Sequence, residues 1–360
     1  MRKSSSEDLQ SQSEECVHLL VGCYGKRIYK VLFDTCSREL TIVGEAEAVN
    51  ASYVVADGDN IYTFSESGPE SKVYSFNSLE SGDIVCTSVL DCPGADPCFA
   101  IASPNGRCYF TADYSGGSIS AYQISEGKIE RMGGKIQFSG SGPHIRRQTA
   151  PHIHQLKWLP ESCGCGDSWI LASDLGADRI RVVKVGGLDG ENIELSYMDD
   201  IVTPPGSGPR HMEFSADGRV LYCLTELSGE VFVYMVSVLE GVPSFELKQR
   251  IVADEVSAGG SADIHLDPSG KYLYTSHRLR NDGISVFKVL DNGLLERVGY
   301  THTALHPRSF YITDDGKSLL VASKDERCIE VYGINDDGSL LKSPGKLSFE
   351  QEEPVCIIRQ

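Results

Sequence analysis

The sequence predicts an all-β fold, a seven-bladed β-propeller of four-stranded blades closed by joining its two ends. Two observations predict it. A hairpin grammar recurs six times along the chain, and the terminal segments supply the complementary parts of one further blade.

Taken in order, residues 1–15 (MRKSSSEDLQSQSEE) are polar and acidic and read as a disordered tail ahead of one propeller domain over 16–360. The segments VHLLVGCYG, RIYKVLF and ELTIVGEAE then match the second, third and fourth strands of a blade. A degenerate hairpin starts at Ala51, and a full one is CFAIASPNGRCYFTADYSGGSISAYQI (98–124). The copy starting at His154 fits if 163–166 is a four-residue turn insertion. Three more follow, GPRHMEFSADGRVLYCLTELSGEVFVY (208–234), ADIHLDPSGKYLYTSHRLRNDGISVFKV (262–289) and RSFYITDDGKSLLVASKDERCIEVYGI (308–334). Turn positions Gly58, Gly106, Ser162, Gly218, Gly270 and Gly316 are separated by 48, 56, 56, 52 and 46 residues, a four-stranded blade's length. Fourth strands are visible at 245–252 and 294–300. The C-terminal EPVCIIRQ matches a first strand, so pairing it with the N-terminal segments closes the ring and removes the open edge. A tandem of β-sandwiches does not explain why a first strand stands at the end of the chain.

Composition narrows function. A formal charge of −18 argues against nucleic acid or an anionic membrane as partner, though a local basic pocket can still hold a small anion. With no apolar run near eighteen residues and no apolar leader, the chain is expected to be cytoplasmic. Of the twelve cysteines, Cys23, Cys108, Cys223, Cys328 and Cys356 lie in apolar runs and read as reduced structural thiols. Cys163 and Cys165 form a C-x-C pair without a second pair, which does not make a zinc site. No metal or cofactor is expected, and nothing points to an obligate protein partner.

Residues equidistant from a hairpin turn lie across from each other. Eight before the turn stand Asn50, Cys98, His154, Arg210, Ala262 and Arg308; eight after it stand Glu66, Tyr114, Asp174, Glu226, Arg278 and Lys324, with Tyr24 in the split blade. A propeller's first strands line its central channel, so both sets are expected at one mouth. Solvated strand ends would account for polarity alone. They do not account for the bunching of His154, Arg210, Glu226, Arg278 and Arg308 in blades 4 to 7.

The stretches GPRHMEFSADGRVLYCLTEL, SADIHLDPSGKYLY…SHR, HPRSFYITDDGKSLLVAS and SDLGADRIRV resemble the lactonase-type seven-bladed propellers, over roughly residues 17–360. That family holds the propeller-type 6-phosphogluconolactonases and the carboxy-cis,cis-muconate lactonising enzymes. The resemblance implies an enzyme that hydrolyses or closes a small acidic lactone, with the family's site residues falling on His154, Arg210, Glu226 and Arg278. Thr225 stands where the family usually has Asn, and His277 where Asn or Asp is common.

The chemistry is coherent with those residue types. His154 is a candidate general base, with Glu226 either the base itself or an orienting group. Arg278 suits a developing oxyanion. Arg210 is expected to clamp a phosphate or carboxylate, with Arg308, Lys324, Asp174 and His211 as further substrate contacts. His152 and His265 are weaker candidates, and YSGGS (114–118) is a propeller loop rather than a phosphate cradle. The leading expectation is a hydrolase of 6-phosphogluconolactone or a related sugar lactone. A muconate-type lactonising enzyme, or a propeller that only binds a ligand or protein, are the alternatives.

Overall fold

The computed structural model describes residues 16–166, 168–189 and 192–360, so the expected tail at 1–15 lies outside the described residues. The described strands form seven four-stranded antiparallel sheets arranged as a ring. Blade 1 is assembled from both ends: Glu353–Arg359 is its inner strand, followed outward by Cys16–Tyr24, Arg27–Asp34 and Leu40–Glu47. The junction runs antiparallel from Leu19 opposite Arg359 to Tyr24 opposite Glu353. Blades 2 to 7 follow in chain order, with inner strands starting at Val54, Pro97, Ile153, Pro209, Ser261 and Pro307.

Blade 5 shows why these residues form these strands. The turn after Pro209–Phe214 is closed by the Gly218 amide donating to the Ser215 carbonyl (2.8 Å), and Ser215 and Asp217 side chains satisfy the remaining amides. Gly218 has φ 71, a conformation that side chains disfavour, which explains the glycine. The second strand, Val220–Thr225, is apolar almost throughout because both of its faces are covered. Leu221 and Cys223 pack toward blade 4, whereas Tyr222 and Leu224 pack toward blade 6. The outer strand, Val242–Val252, instead alternates and carries Glu246, Lys248 and Arg250, charges that discourage pairing with another edge.

The core is therefore divided among the interfaces of the ring. Seven apolar clusters among the described residues each draw on two neighbouring blades. One spans the closure, where Leu19, Val21 and Ile357 of blade 1 meet Leu320, Ala322 and Ile329 of blade 7. Burying each such side chain is worth about 1.5–3 kcal/mol. Cys23, Cys108, Cys223, Cys328 and Cys356 are buried with free thiols as expected. No helix among the described residues is long and apolar enough to cross a membrane.

Candidate active site

Six of the seven inner strands, all but that of blade 2, slip register at one repeated place. The ladder to the second strand skips a residue between Pro97 and Phe99, Ile153 and Gln155, Pro209 and His211, and Pro307 and Ser309. Blade 6 skips Ala262 and Asp263, and the split blade skips Val355. A bulge leaves one residue unpaired and re-aims its side chain. The bulged residues include Cys98, His154, Arg210 and Arg308, the set standing eight before the turn. Arg210 is thus not the cross-strand partner of Glu226, since Thr225 pairs with Pro209. The bulge swings Arg210 round to meet the carboxylate that begins the next turn.

The second set stands just past the second strands. Glu66, Tyr114, Glu226, Arg278 and Lys324 each donate a backbone amide to the carbonyl that precedes or starts the inner strand, at Asn50, Asp96, Gly208, Gly260 and His306. In blade 4 the residue making this bond is Leu175, to His152, so the turn insertion is one residue longer than 163–166. Asp174 is consequently turned into its blade instead of toward the mouth. Its carboxylate accepts from Arg181 Nη2 (2.7 Å) and Nε (3.0 Å) and from the His152 and Ala177 amides.

Glu226 is the centre of what remains. It accepts from Arg147 Nη2 at 2.6 Å and Arg210 Nε at 2.8 Å, with Arg278 Nη2 at 3.4 Å and His154 Nε2 at 3.9 Å. Arg210 is only 2% exposed and also donates to the Ala262 carbonyl, so it is held from both sides. Arg278 is anchored by Nε on the Gly260 carbonyl (2.8 Å) and lies 3.2 Å from His306 Nε2. His154 is buried, its Nδ1 has no hydrogen-bond partner, and the rings of Tyr114 and His211 stand edge-on to it.

The remaining expected residues are placed as follows. Arg308 lies over the Tyr24 ring, 5.2 Å from its centroid, and among the described residues has no ion pair or hydrogen bond. Tyr24 in turn donates to Glu66 (2.7 Å). His211 faces away from Glu226, with Nδ1 2.8 Å from Asp263 Oδ1. Lys324 sits at the rim, paired with Asp325 (3.0 Å) and Glu353 (3.3 Å). His152 stacks on Tyr114 with centroids 4.4 Å apart, and His265 lies deeper along its strand between Asp263 and Glu213.

Arg147 escaped the sequence reading because it lies outside the repeat, in the 139–152 stretch between blades 3 and 4. Gln148 pins that loop to the Leu175 carbonyl (2.9 Å) and to Asp178 (2.7 Å). Gly176 lets it approach, because a Cβ there would lie 1.9 Å from the Ala150 carbonyl oxygen. The adjacent arginines of PHIRR in an acidic chain were the available signal.

Burial acts to raise the Glu226 carboxyl pKa, but Arg278, Arg210 and Arg147 together hold it down to about 2. Burial, then Arg210, His211 and Arg308, push His154 well below its ordinary value, so the imidazole is neutral at neutral pH. Burial and Asp263 act oppositely on His211, with Arg210 adding to burial, and it falls to about 4. Burial and Arg210 pull Arg278 down to about 9, which still leaves it charged. Among the described residues no three His, Cys, Asp or Glu side chains are grouped to hold a metal ion.

A family described as "Lactonase, 7-bladed beta-propeller" matches residues 18–359. The chain belongs to this family. Among similar proteins is one named 6-phosphogluconolactonase from Formosa agariphila, 31% identical over 90% of this chain and 93% of its own length. Another of that name, from Pectobacterium carotovorum, is 30% identical over 75% of this chain and 76% of its own. Of solved structures, one from Bacteroides fragilis superposes with a TM-score of 0.89 at 35% identity, covering 99% of this chain and 100% of that one. The periplasmic gluconolactonase of Pseudomonas aeruginosa superposes at 0.84 with 25% identity over 95% and 99%. This lactonase-family propeller thus carries His154, Arg210, Glu226 and Arg278 in one contact cluster at a single mouth of its ring.

Proposed function

We propose that the chain hydrolyses a small anionic sugar lactone of the 6-phosphogluconolactone type at this mouth. One observation carries the charge of the substrate. Arg147, Arg210, Arg278 and Arg308 outnumber Glu226 and Glu66, and Asp263, which also acts on Arg210, is already paired with His211 and His265, which leaves a local positive surplus in a chain of charge −18. Such a surplus, ringed by low-dielectric walls, concentrates an anion. The names of the relatives supply the substrate class.

In this reading a water between His154 Nε2 and Glu226 Oε2 attacks the lactone carbonyl carbon. Nε2 accepts the water's proton, and the imidazolium forms beside the Glu226 carboxylate, which stabilises it. The oxyanion that develops faces Arg278. When the ring C–O bond breaks, the departing oxygen takes the proton back from Nε2, leaving a hydroxyl and a carboxylic acid that then loses its proton to solvent. Because Arg210 is held on both sides, the substrate's anionic group goes to Arg308 and Arg147, which retain free donors. The surplus also suits a dicarboxylate, so a muconate-type lactonising activity is the second reading. The free, buried thiols of Cys23, Cys108, Cys223, Cys328 and Cys356 suit a reducing compartment, the cytoplasm.

The test is acid release from 6-phosphogluconolactone by the purified chain, measured against spontaneous hydrolysis, with a muconate-type diacid as second substrate. Enzyme-dependent release that Arg308→Ala weakens mainly through a higher KM is the expected result. A rate equal to the spontaneous one overturns the reading.

A further inference from the structure

Glu226 is held by three guanidiniums of unequal mobility. Arg210 is fixed by its burial and its second bond, to the Ala262 carbonyl. Arg147 reaches in from a loop, its side chain is 37% exposed, and its other partner is the Tyr114 hydroxyl at 3.2 Å. Arg278 makes the longest of the three contacts. An anion entering the mouth therefore meets two cations already engaged by a carboxylate, and that carboxylate is 3.9 Å from the His154 imidazole.

We propose that the anionic group of the substrate, held by Arg308 and Arg147, competes with Glu226 for Arg147, so that binding itself loosens the carboxylate beside His154 and completes the water-activating pair. The proposal rests on the lactonase reading and deepens it. It makes the anion a determinant of turnover as well as of affinity, so a neutral lactone of the same ring is discriminated against in kcat.

The physical case is a balance of charges. His154 is faced from blade 3 by Tyr114 and Cys98, whose pKa values burial raises, and from blade 5 by His211, whose pKa burial lowers; all three are neutral at neutral pH. The cations that act on it are Arg210 and Arg308, while Glu226, 3.9 Å away, is itself paired with Arg210, Arg278 and Arg147. Without an anion those guanidiniums disfavour a proton on His154 and on Glu226 alike. A dianion among them offsets their field at both groups, and proton affinity at the site rises when substrate is present to use it.

Inorganic phosphate can stand in for the substrate's anion while the lactone is neutral. Hydrolysis of glucono-δ-lactone by the full chain is measured with and without millimolar phosphate at constant ionic strength, and the His154 titration is followed by NMR under the same conditions. Phosphate should raise kcat saturably, by about tenfold, and raise the His154 pKa by about one unit, the same free energy. Arg147→Ala should raise the phosphate-free rate and blunt the stimulation, an outcome that lost packing would not give. Glu226→Gln should bind phosphate more tightly, since the competing carboxylate is gone. Purely competitive inhibition by phosphate, or a His154 titration that phosphate leaves in place, overturns the proposal. Failure to hydrolyse any lactone sinks the lactonase reading instead, and the His154 titration still decides the competition.

Discussion

At the scale of single residues, His154 and Glu226 separate activity from stability. His154 has no partner on Nδ1 and touches Glu226 only at 3.9 Å, so replacing it disturbs little else. His154→Gln should lower kcat by roughly 10²-fold, the scale of a lost general base, and should flatten the acidic limb of the pH–rate profile with little change in melting temperature. Glu226→Gln should cost less turnover but more stability, about 3–5 kcal/mol, because it leaves buried guanidiniums uncompensated. Abolished turnover in Glu226→Gln with activity kept in His154→Gln would exchange their roles. The buried histidines also set a pH dependence. His154 is lowered, His211 falls to about 4 and His277 to about 3, burial being the leading cause in each. Below the unfolded value of about 6.5 the unfolded chain binds more protons than the native one, so stability is full above that pH and falls as pH drops. Each histidine contributes a slope of about 1.4 kcal/mol per pH unit down to its own folded pKa. Urea midpoints should therefore decline from about pH 7 to about pH 5; midpoints that stay level would mean these rings are not buried neutral.

At the scale of elements, what was legible followed from repetition, and what was missed came from local departures from it. Strands read from alternation and Gly-turn spacing, because every blade solves the same packing problem with both inner faces covered. The eight-residue spacing also found His154, Arg210, Glu226 and Arg278, though for a reason other than cross-strand pairing: the spacing marks a bulge on one side and the start of a turn on the other. The long turn of blade 4 broke the count by one, moving Asp174 off the mouth and Leu175 onto it. Arg147 was illegible because a loop outside the repeat has no equivalent position to compare. Asp174 then becomes a test of the corrected register. Asp174→Ala removes the buried partner of Arg181 and the acceptor of two backbone amides, so it should cost about 3–5 kcal/mol. The surviving folded protein should keep its kcat/KM for an anionic lactone. A variant of parental stability with collapsed activity would return Asp174 to the site.

At the scale of the whole molecule, the ring depends on a single closing strand. Glu353–Arg359 pairs with Cys16–Tyr24 and packs Ile357 into the cluster shared with blade 7, while Val355 stands at the channel waist with Arg308 and Cys98. Without it, Leu19, Val21 and Cys23 lose their cover, and the inner edge of blade 1 is left unpaired. Those side chains represent about 1.5–3 kcal/mol each, and domains of this kind are stable by only about 5–15 kcal/mol in total. Deleting residues 353–360 should therefore lower the melting temperature of the entire chain in one transition, not fray one blade, because each interface cluster needs both neighbours. A circular permutant that joins Gln360 to Cys16 through a short linker, and opens the chain at the exposed turn around Asp337, keeps every strand in place. It should melt close to the parent and retain lactone turnover. If the truncated chain melts like the parent, blade 1 does not need its inner strand; if the permutant fails while the parent folds, closure alone does not account for the ring's stability.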